Sequence, residues 1–274
     1  MFDNKYSVLM SVYYKEKPEY LELAMKSMWE QTISPSDFVL VCDGPLNAEL
    51  DNVIEKMQKK YDAKLQVLRL PQNVGLGNAL NRGLEQCKNE LVARMDSDDI
   101  ARPDRCEKQL KIFENYPEVS ICSGTVEEFE KLPQYVDARR ILPETNQEIL
   151  EFSKSRNPFN HPCVMYKKSD IEAAGSYQDF YLLEDYYLWI RMLIQGYKGY
   201  NISDPLLWMR AGKNMYKRRA GWKYAKSQVA LFKYMRINEF ISLRQYAKSS
   251  FVRIASSMAP NSIRQFLFKN MLRE

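Results

Sequence analysis

LVARMDSDDIARPDR, residues 91–105, decides how this chain is read. A mostly apolar run ends in Asp96, Asp98 and Asp99, and Pro103 follows. Three like charges at the end of a buried strand repel one another, and a buried carboxylate without a partner is costly. A surface turn needs only one such acid. The stretch therefore predicts a positive group at this point.

The chain on either side alternates. On the N-terminal side, YSVLMSV (6–12), FVLVCDG (38–44) and KLQVLRL (64–70) read as short apolar strands. Between and after them, residues 18–31, 46–61, 75–87 and 104–116 have helical spacing, with Pro18 suited to a first helical turn. LVARMD (91–96) and VSICSGTV (119–126) complete the strands. Strands that are apolar throughout, separated by helices, predict an α/β fold with a mostly parallel sheet covered on both faces. Such sheets bind ligands at the carboxyl ends of their strands. Asp43 ends the second strand, Asn73 follows the third, and Asp96 and Asp98 follow the fourth. The order of elements thus predicts one crevice lined by acids and amides.

The second half is less regular. NPFNHPCVMYKKSD (157–170) reads as a loop, a short strand and a helix start. LEDYYLWIRMLIQG (183–196) reads as a helix with Glu184 and Asp185 in its first turn, where acids suit the helix dipole.

Charge divides the chain more sharply than hydropathy. The net charge is +5, but residues 205–274 hold 15 Lys and Arg against 2 Asp and Glu, a net of +13. Residues 1–204 are left with −8. We expect one α/β domain over 1–204, with halves over about 1–126 and about 127–204. A basic helical C-terminal region follows over 205–274. The basic region should seek an anionic surface. Nucleic acid is disfavoured as that partner, because the acidic first half would repel it.

Five widely spaced cysteines, with no CxxC pair, argue against a disulfide framework or a zinc site. No uncharged run approaches the roughly 18 residues of a membrane span, and the N-terminus lacks a signal-peptide pattern. A cytoplasmic protein is expected, peripheral on the inner membrane. The sequence fixes no oligomeric state.

In extended chain Asp96 and Asp98 point the same way, which makes a hard-oxygen site for Mg²⁺ or Mn²⁺. The bland reading is a helix cap and turn before Pro103; the strand-end position and the third acid favour the metal. A calcium loop fails, because Ile100 and Ala101 stand where an acid or Asn and a Gly are required.

Four ordered segments make a more specific pattern. They are SVLMSVYYKEKPEYLELAMKSMWEQT, VLVCDG, LPQNVGLGNALNRGLEQCKNELVARMDSDDIARPDRCEKQ and LLEDYYLWIRM. Together they resemble the family 2 inverting glycosyltransferases of GT-A fold, especially bacterial members that assemble O-antigen and capsule repeat units, over about residues 5–236. The resemblance implies a Rossmann-like sheet, a catalytic domain over 1–204 with a nucleotide-sugar half (about 1–126) and an acceptor half (about 127–204), and a UDP-sugar donor. It also implies a sugar acceptor on an undecaprenyl-type lipid diphosphate. Ser11, Val12 and Tyr13 would line the nucleotide pocket, and Asp43 would accept from the uracil ring. Asn73, Gly75 and Asn81 would lie beside base and ribose. Asp96 would hold ribose or a metal-bound water, with Ser97 in the same nucleotide-sugar set. Asp98, with Asp96, would bind the metal that bridges the donor diphosphate. Glu184 and Asp185 match the motif that holds the catalytic base, for which Asp185 is favoured; the alternative is that both acids only cap a helix.

Two departures matter. The family's D-D-G-S is Cys42-Asp43-Gly44-Pro45 here, and no histidine follows His161 to serve as a late metal ligand. His161 itself is either a hydrogen-bonded structural residue or one that faces the sugars. Positive charge for a diphosphate on donor or acceptor is expected instead from Arg210, Lys213, Arg218 and Arg219, against the alternative of a solvated basic face.

Residues 247–272 read as an amphipathic helix pair broken at Pro260, suited to an anionic bilayer or to packing on the protein itself. A nucleotidyltransferase would want a Gly-rich basic loop after the first strand, and SVYYKEKPE has none. A catalytically dead scaffold predicts decay of the acid motifs, and both are intact.

Overall fold

The computed structural model describes residues 4–211 and 220–259. Four parallel strands form its first half: β1 (Tyr6–Val12), β2 (Asp37–Cys42), β3 (Leu65–Arg69) and β4 (Leu91–Asp96). They lie in the order β3-β2-β1-β4. The chain leaves central β1 to one side, then returns to its other side at β4. That reversal opens a crevice at the carboxyl ends. Register aligns those ends, since Ser11 sits beside Asp96 and Val12 beside Cys42.

Alternation along β1 feeds both faces, with Tyr6, Val8, Met10 and Val12 in one core and Leu9 in the other. Helices α1 (Pro18–Trp29) and α2 (Ala48–Tyr61) cover the first face, with Leu21, Met25, Val53 and Ile54 buried there. Helix α3 (Leu76–Gln86) covers the second. A Cβ on Gly83 would stand 2.4 Å from the Leu9 side chain, so the glycine sets how closely α3 lies on the sheet.

Beyond β4 the sheet turns mixed. The short strand β5 (Ile100–Ala101) leads into α4 (Arg105–Asn115). Then come β6 (Val119–Phe129), buried along its whole length, and β7 (Ala138–Arg140). Helix α5 (Asn146–Ser153), β8 (Met165–Lys167), α6 (Lys168–Ala173) and α7 (Glu184–Ile194) follow. β8 pairs antiparallel to β4 and β6, and β6 pairs parallel to β9 (Lys198–Arg210). The parallel pairing expected from the alternation holds for β1–β4 and recurs between β6 and β9, while β8, β7 and β5 pair antiparallel. Between β6 and β8 the chain passes through β7, α5 and one turn of 3-10 helix, His161–Cys163, and β8 re-enters the sheet running opposite to β6.

The boundary expected between residues 204 and 205 falls inside β9. The basic region is also no separate appendage. Its helix α8 (Gly221–Ile237) shares a core with α7, in which Tyr186 and Ile190 meet Tyr224, Leu231, Phe232 and Met235. Helix α9 (Leu243–Met258), with a Ser242 and Gln245 capping box, packs along α8. The first half of the expected amphipathic pair is thus the end of α9; the second half lies outside the described residues.

Candidate active site

A cleft of about 1030 Å³ opens over the carboxyl ends of β1, β2 and β4 and runs to the start of α7. One end is acidic. Ligand oxygens of Asp96, Asp98 and Asp99 lie within 4.8 Å of one another. Burial first, then the charges of Asp96 and Glu16, push the Asp98 carboxyl up to about 7. Burial and its two acid neighbours raise Asp99 well above the usual carboxylate range. Glu16 joins them from the loop after β1 by accepting from Ser97 Oγ at 2.6 Å. So many hard oxygens, held close against their own repulsion, fit a small divalent cation such as Mn²⁺ or Mg²⁺.

Two arginines keep the acid end together. Arg94, fully buried on β4, pairs with Asp96 through Nη2. Arg210, at the end of β9, donates its backbone N–H to Asp99 at 2.7 Å and its Nε–H to the Asp98 carbonyl at 3.1 Å. Its guanidinium lies 3.7 Å from the Tyr20 ring centroid. Arg210, expected at a diphosphate, is thus seated against the acid triplet. Lys213, Arg218 and Arg219 lie outside the described residues.

The nucleotide side is built on Asp43. Its carboxylate accepts from Asn73 Nδ2 at 2.9 Å, Val74 N at 2.7 Å and Gly75 N at 3.1 Å. Three of its roughly four acceptor positions hold the 73–75 loop, which leaves one for a ligand. Gly44 permits that loop to lie so close, with φ +90 and a Cβ that would stand 2.7 Å from Asn73 N. Ser11 and Tyr13 line the cleft beside it. Two expected residues do not. Val12 points into the core below, because β1 alternates and Ser11 faces the cleft. Asn81 spends its amide on the Tyr177 backbone, donating at 2.7 Å and accepting at 2.9 Å. It fastens the segment before α7.

Glu184 and Asp185 open α7 across the cleft. Asp185 accepts from Asn157 Nδ2 at 2.6 Å and from Tyr186 N at 2.7 Å. Burial first and the Asp185 charge second raise Glu184 to about 7. His161 lines the same wall and shares a 2.9 Å hydrogen bond with the Tyr177 hydroxyl. Burial, then the Arg94 charge, hold its imidazole well below the usual range, so it is neutral at pH 7. His161 is thus a hydrogen-bonded residue that lines the cleft.

Glu16, Arg94, Asp99 and Asn157 were not assigned roles by sequence reasoning. Glu16 carried a signal, since it follows β1 at a carboxyl end. Arg94 carried one too, as a charge inside an apolar strand. Asn157 carried none.

Residues 7–175 match the family described as Glycosyl transferase family 2. The chain is 38% identical to the amylovoran biosynthesis glycosyltransferase AmsE of Erwinia amylovora, over 96% of this chain and 98% of that one. It is 40% identical to the UDP-Gal:alpha-D-GlcNAc-diphosphoundecaprenol beta-1,3-galactosyltransferase of Escherichia coli, over 98% and 97%. Among solved structures, S. aureus TarS 1-349 in complex with UDP-GlcNAc superposes with a TM-score of 0.66 at 16% identity, covering 98% of this chain and 76% of that one. The Pyrobaculum calidifontis mannosyltransferase PcManGT with GDP-Man and Mn2+ gives 0.63 at 16%, covering 96% and 78%. These two establish likeness of fold, the GT-A arrangement of a central sheet between helices.

Proposed function

Because the chain belongs to glycosyl transferase family 2 and is a hexosyltransferase of polysaccharide synthesis, we propose that it moves a hexose, Gal or Glc before an N-acetylhexosamine, from a UDP-sugar to a sugar on a lipid diphosphate, with inversion. One observation carries this reading. The acid triplet and the Glu184–Asp185 pair, 85 residues or more apart in sequence, line one cleft. The E. coli relative's name states a UDP-Gal donor and a GlcNAc-diphosphoundecaprenol acceptor, which supports the choice of both substrates.

The residues divide the work. Asp43 has one acceptor position for the uracil N–H, and Ser11, Tyr13, Asn73 and Gly75 surround it. Asp96, held by Arg94, would hold the ribose or a metal-bound water. Asp185 takes the proton from the acceptor hydroxyl on the face opposite the leaving diphosphate, a role worth about 10²–10⁴ in rate. Asn157 fixes its carboxylate, and Glu184 stands beside it. The reacting carbon passes through an oxocarbenium-like state, as in glycoside hydrolysis. Asp98, Asp96 and Asp99 would hold Mn²⁺ or Mg²⁺, which when bound supplies positive charge for the departing diphosphate.

The same reading puts the enzyme on the cytoplasmic face of an anionic inner membrane. Among the described residues no helix is long and apolar enough to cross a membrane. Helix α9 exposes Leu243, Phe251, Val252 and Met258 in the most basic part of the chain, which supports surface docking.

Calorimetry with UDP, GDP and each plus Mn²⁺ tests the donor. UDP binding that requires the ion is expected. Preference for GDP would keep the family and overturn the donor.

A further inference from the structure

The buried stripe of α8 has a polar interruption at the cleft. Tyr224, Leu231, Phe232 and Met235 recur at helical spacing and share a core with α7. Position 228 falls in the same stripe, one turn after Tyr224, where the period asks for an apolar residue, and it holds glutamine. Gln228 is only 4% exposed and Tyr224 only 7%, and both line the cleft. Ser227 beside them has a protein partner, since its hydroxyl donates to the Tyr181 carbonyl at 2.9 Å. Among the described residues, the Gln228 carboxamide and the Tyr224 hydroxyl have none. A carboxamide so deeply buried gives up bulk water, and native interiors return a partner for it. The cleft is the side from which that partner can come.

The seat of α8 fixes which part of the cleft these groups enter. Ser227 holds the Tyr181 backbone, and the Lys223 ammonium lies 4.0 Å from the Tyr181 ring centroid. Tyr224 packs in one core with Leu183 and Tyr186. Residues 181–186 carry Glu184 and Asp185, so Tyr224 and Gln228 stand on the side of the base. Their chemistry is neutral. A carboxamide donates through its NH₂ and accepts through its oxygen, and a phenol hydroxyl does both. Such a pair suits an uncharged group that also donates and accepts, as the hydroxyl and acetamido groups of a sugar do.

We propose, on the acceptor reading given above, that Gln228 and Tyr224 select the acceptor sugar by hydrogen bonds to its acetamido group or to a hydroxyl that is not glycosylated. The donor is met at Asp43 and the acid triplet, whereas the acceptor comes to the base, where these two groups stand. Both lie outside residues 7–175, the part that matches the family. Catalysis and choice of acceptor are then carried by different parts of the chain, and α8 of the basic region takes part in the second.

The test uses soluble acceptors: an alkyl N-acetylglucosaminyl diphosphate, its glucosyl counterpart, and deoxy analogues at the hydroxyls that are not glycosylated. Wild type, Gln228→Met and Tyr224→Phe are compared by kcat/KM, and UDP binding with Mn²⁺ verifies each fold. Tyr224→Phe keeps the ring in the core and removes only the hydroxyl. The wild type should lose about 3- to 10-fold on the analogue that lacks the contacted group. Each variant should lose about as much on the full acceptor and nothing further on that analogue, because side chain and sugar group act as one contact. Non-additivity on the glucosyl compound assigns the contact to the acetamido group, and on a deoxy compound to that hydroxyl. A variant loss of equal size on every acceptor marks a structural role and overturns the subsite. Wild-type discrimination retained by both variants, or a wild type that discriminates among none of the analogues, also overturns it and leaves the acceptor standing. No turnover of the N-acetylglucosaminyl diphosphate by the wild type overturns the acceptor reading, and the subsite with it.

Discussion

Asn157 donates its side-chain amide to the Asp185 carboxylate across 2.6 Å, joining the loop after α5 to the first turn of α7. The contact leaves Asp185 with one defined orientation toward the cleft. Asn157→Ala should lower kcat by about 10- to 100-fold through misplacement of the base. Asp185→Asn should lose about 10²–10⁴. Both should bind UDP with Mn²⁺ like the wild type. Steady-state kinetics beside calorimetry separates the effects, and normal turnover by Asp185→Asn would show that the base lies elsewhere.

Asp98→Ala should abolish the dependence of UDP binding on Mn²⁺, and a chelator should do the same to the wild type. The carboxylates repel one another until a cation neutralises them, so the variant should also lose the stabilisation that Mn²⁺ gives the wild type. Thermal melts with and without the ion check this. An undiminished shift in the variant would move the ion to other ligands.

Glu184 sets a pH dependence. Its carboxyl titrates near 7 in the fold against 4.5 unperturbed, because burial and Asp185 oppose its charge. Between those values the folded state holds more protons than the unfolded chain, so this stabilisation is complete below pH 4.5 and is lost as pH rises through 7. The group is half-buried, which discounts its worth to about 1–2 kcal/mol. Glu184→Gln should flatten the slope of stability between pH 5 and 8 by that amount. Urea melts at the two pH values measure it, and an unchanged slope would refute the assignment.

Arg105 is fully buried and bonds the Arg94 carbonyl at 2.6 Å, the Pro162 and Val164 carbonyls at 3.2 Å each, and Gln109 Oε1 at 3.1 Å. It ties β4 to the turn bearing His161. Arg105→Met leaves several buried acceptors unmet and should cost about 3 kcal/mol or more, read as a fall in Tm of several degrees. A Tm within a degree of the wild type would contradict this.

Phe251→Ser and Met258→Ser should weaken sedimentation with phosphatidylglycerol vesicles by about three- to tenfold for each buried side chain lost, with turnover of soluble acceptors unchanged. Binding of the wild type should fall as salt rises. Equal binding to neutral vesicles would remove the electrostatic part of the proposal.

Much of this protein was legible because the signals are local. Apolar runs and helical spacing gave β1–β4 and α1–α4, and a helix needs no distant partner to show which of its faces is apolar. Asp43, Asp96 and Asp98 were legible because strand ends converge in any parallel sheet. β9 was hidden by Pro205, which breaks a strand pattern and is tolerated here at a register shift opposite Thr125. With β9 hidden, the end of the catalytic domain was placed inside it. The bond from Asn81 to the Tyr177 backbone was not legible, since an amide's spacing does not name its partner.

The sequence by itself determined the class of sheet, the crevice and the acids at its rim, all of which follow from periodicities of a few residues. Only the tertiary structure decided which polar groups meet: Glu16 with Ser97, Arg94 with Asp96, and Asn157 with Asp185. Hydrophobic burial depends on each residue's own surface and is written along the chain. Hydrogen bonds and ion pairs are short and directional, so their partners exist only once distant segments are brought to within about 3 Å.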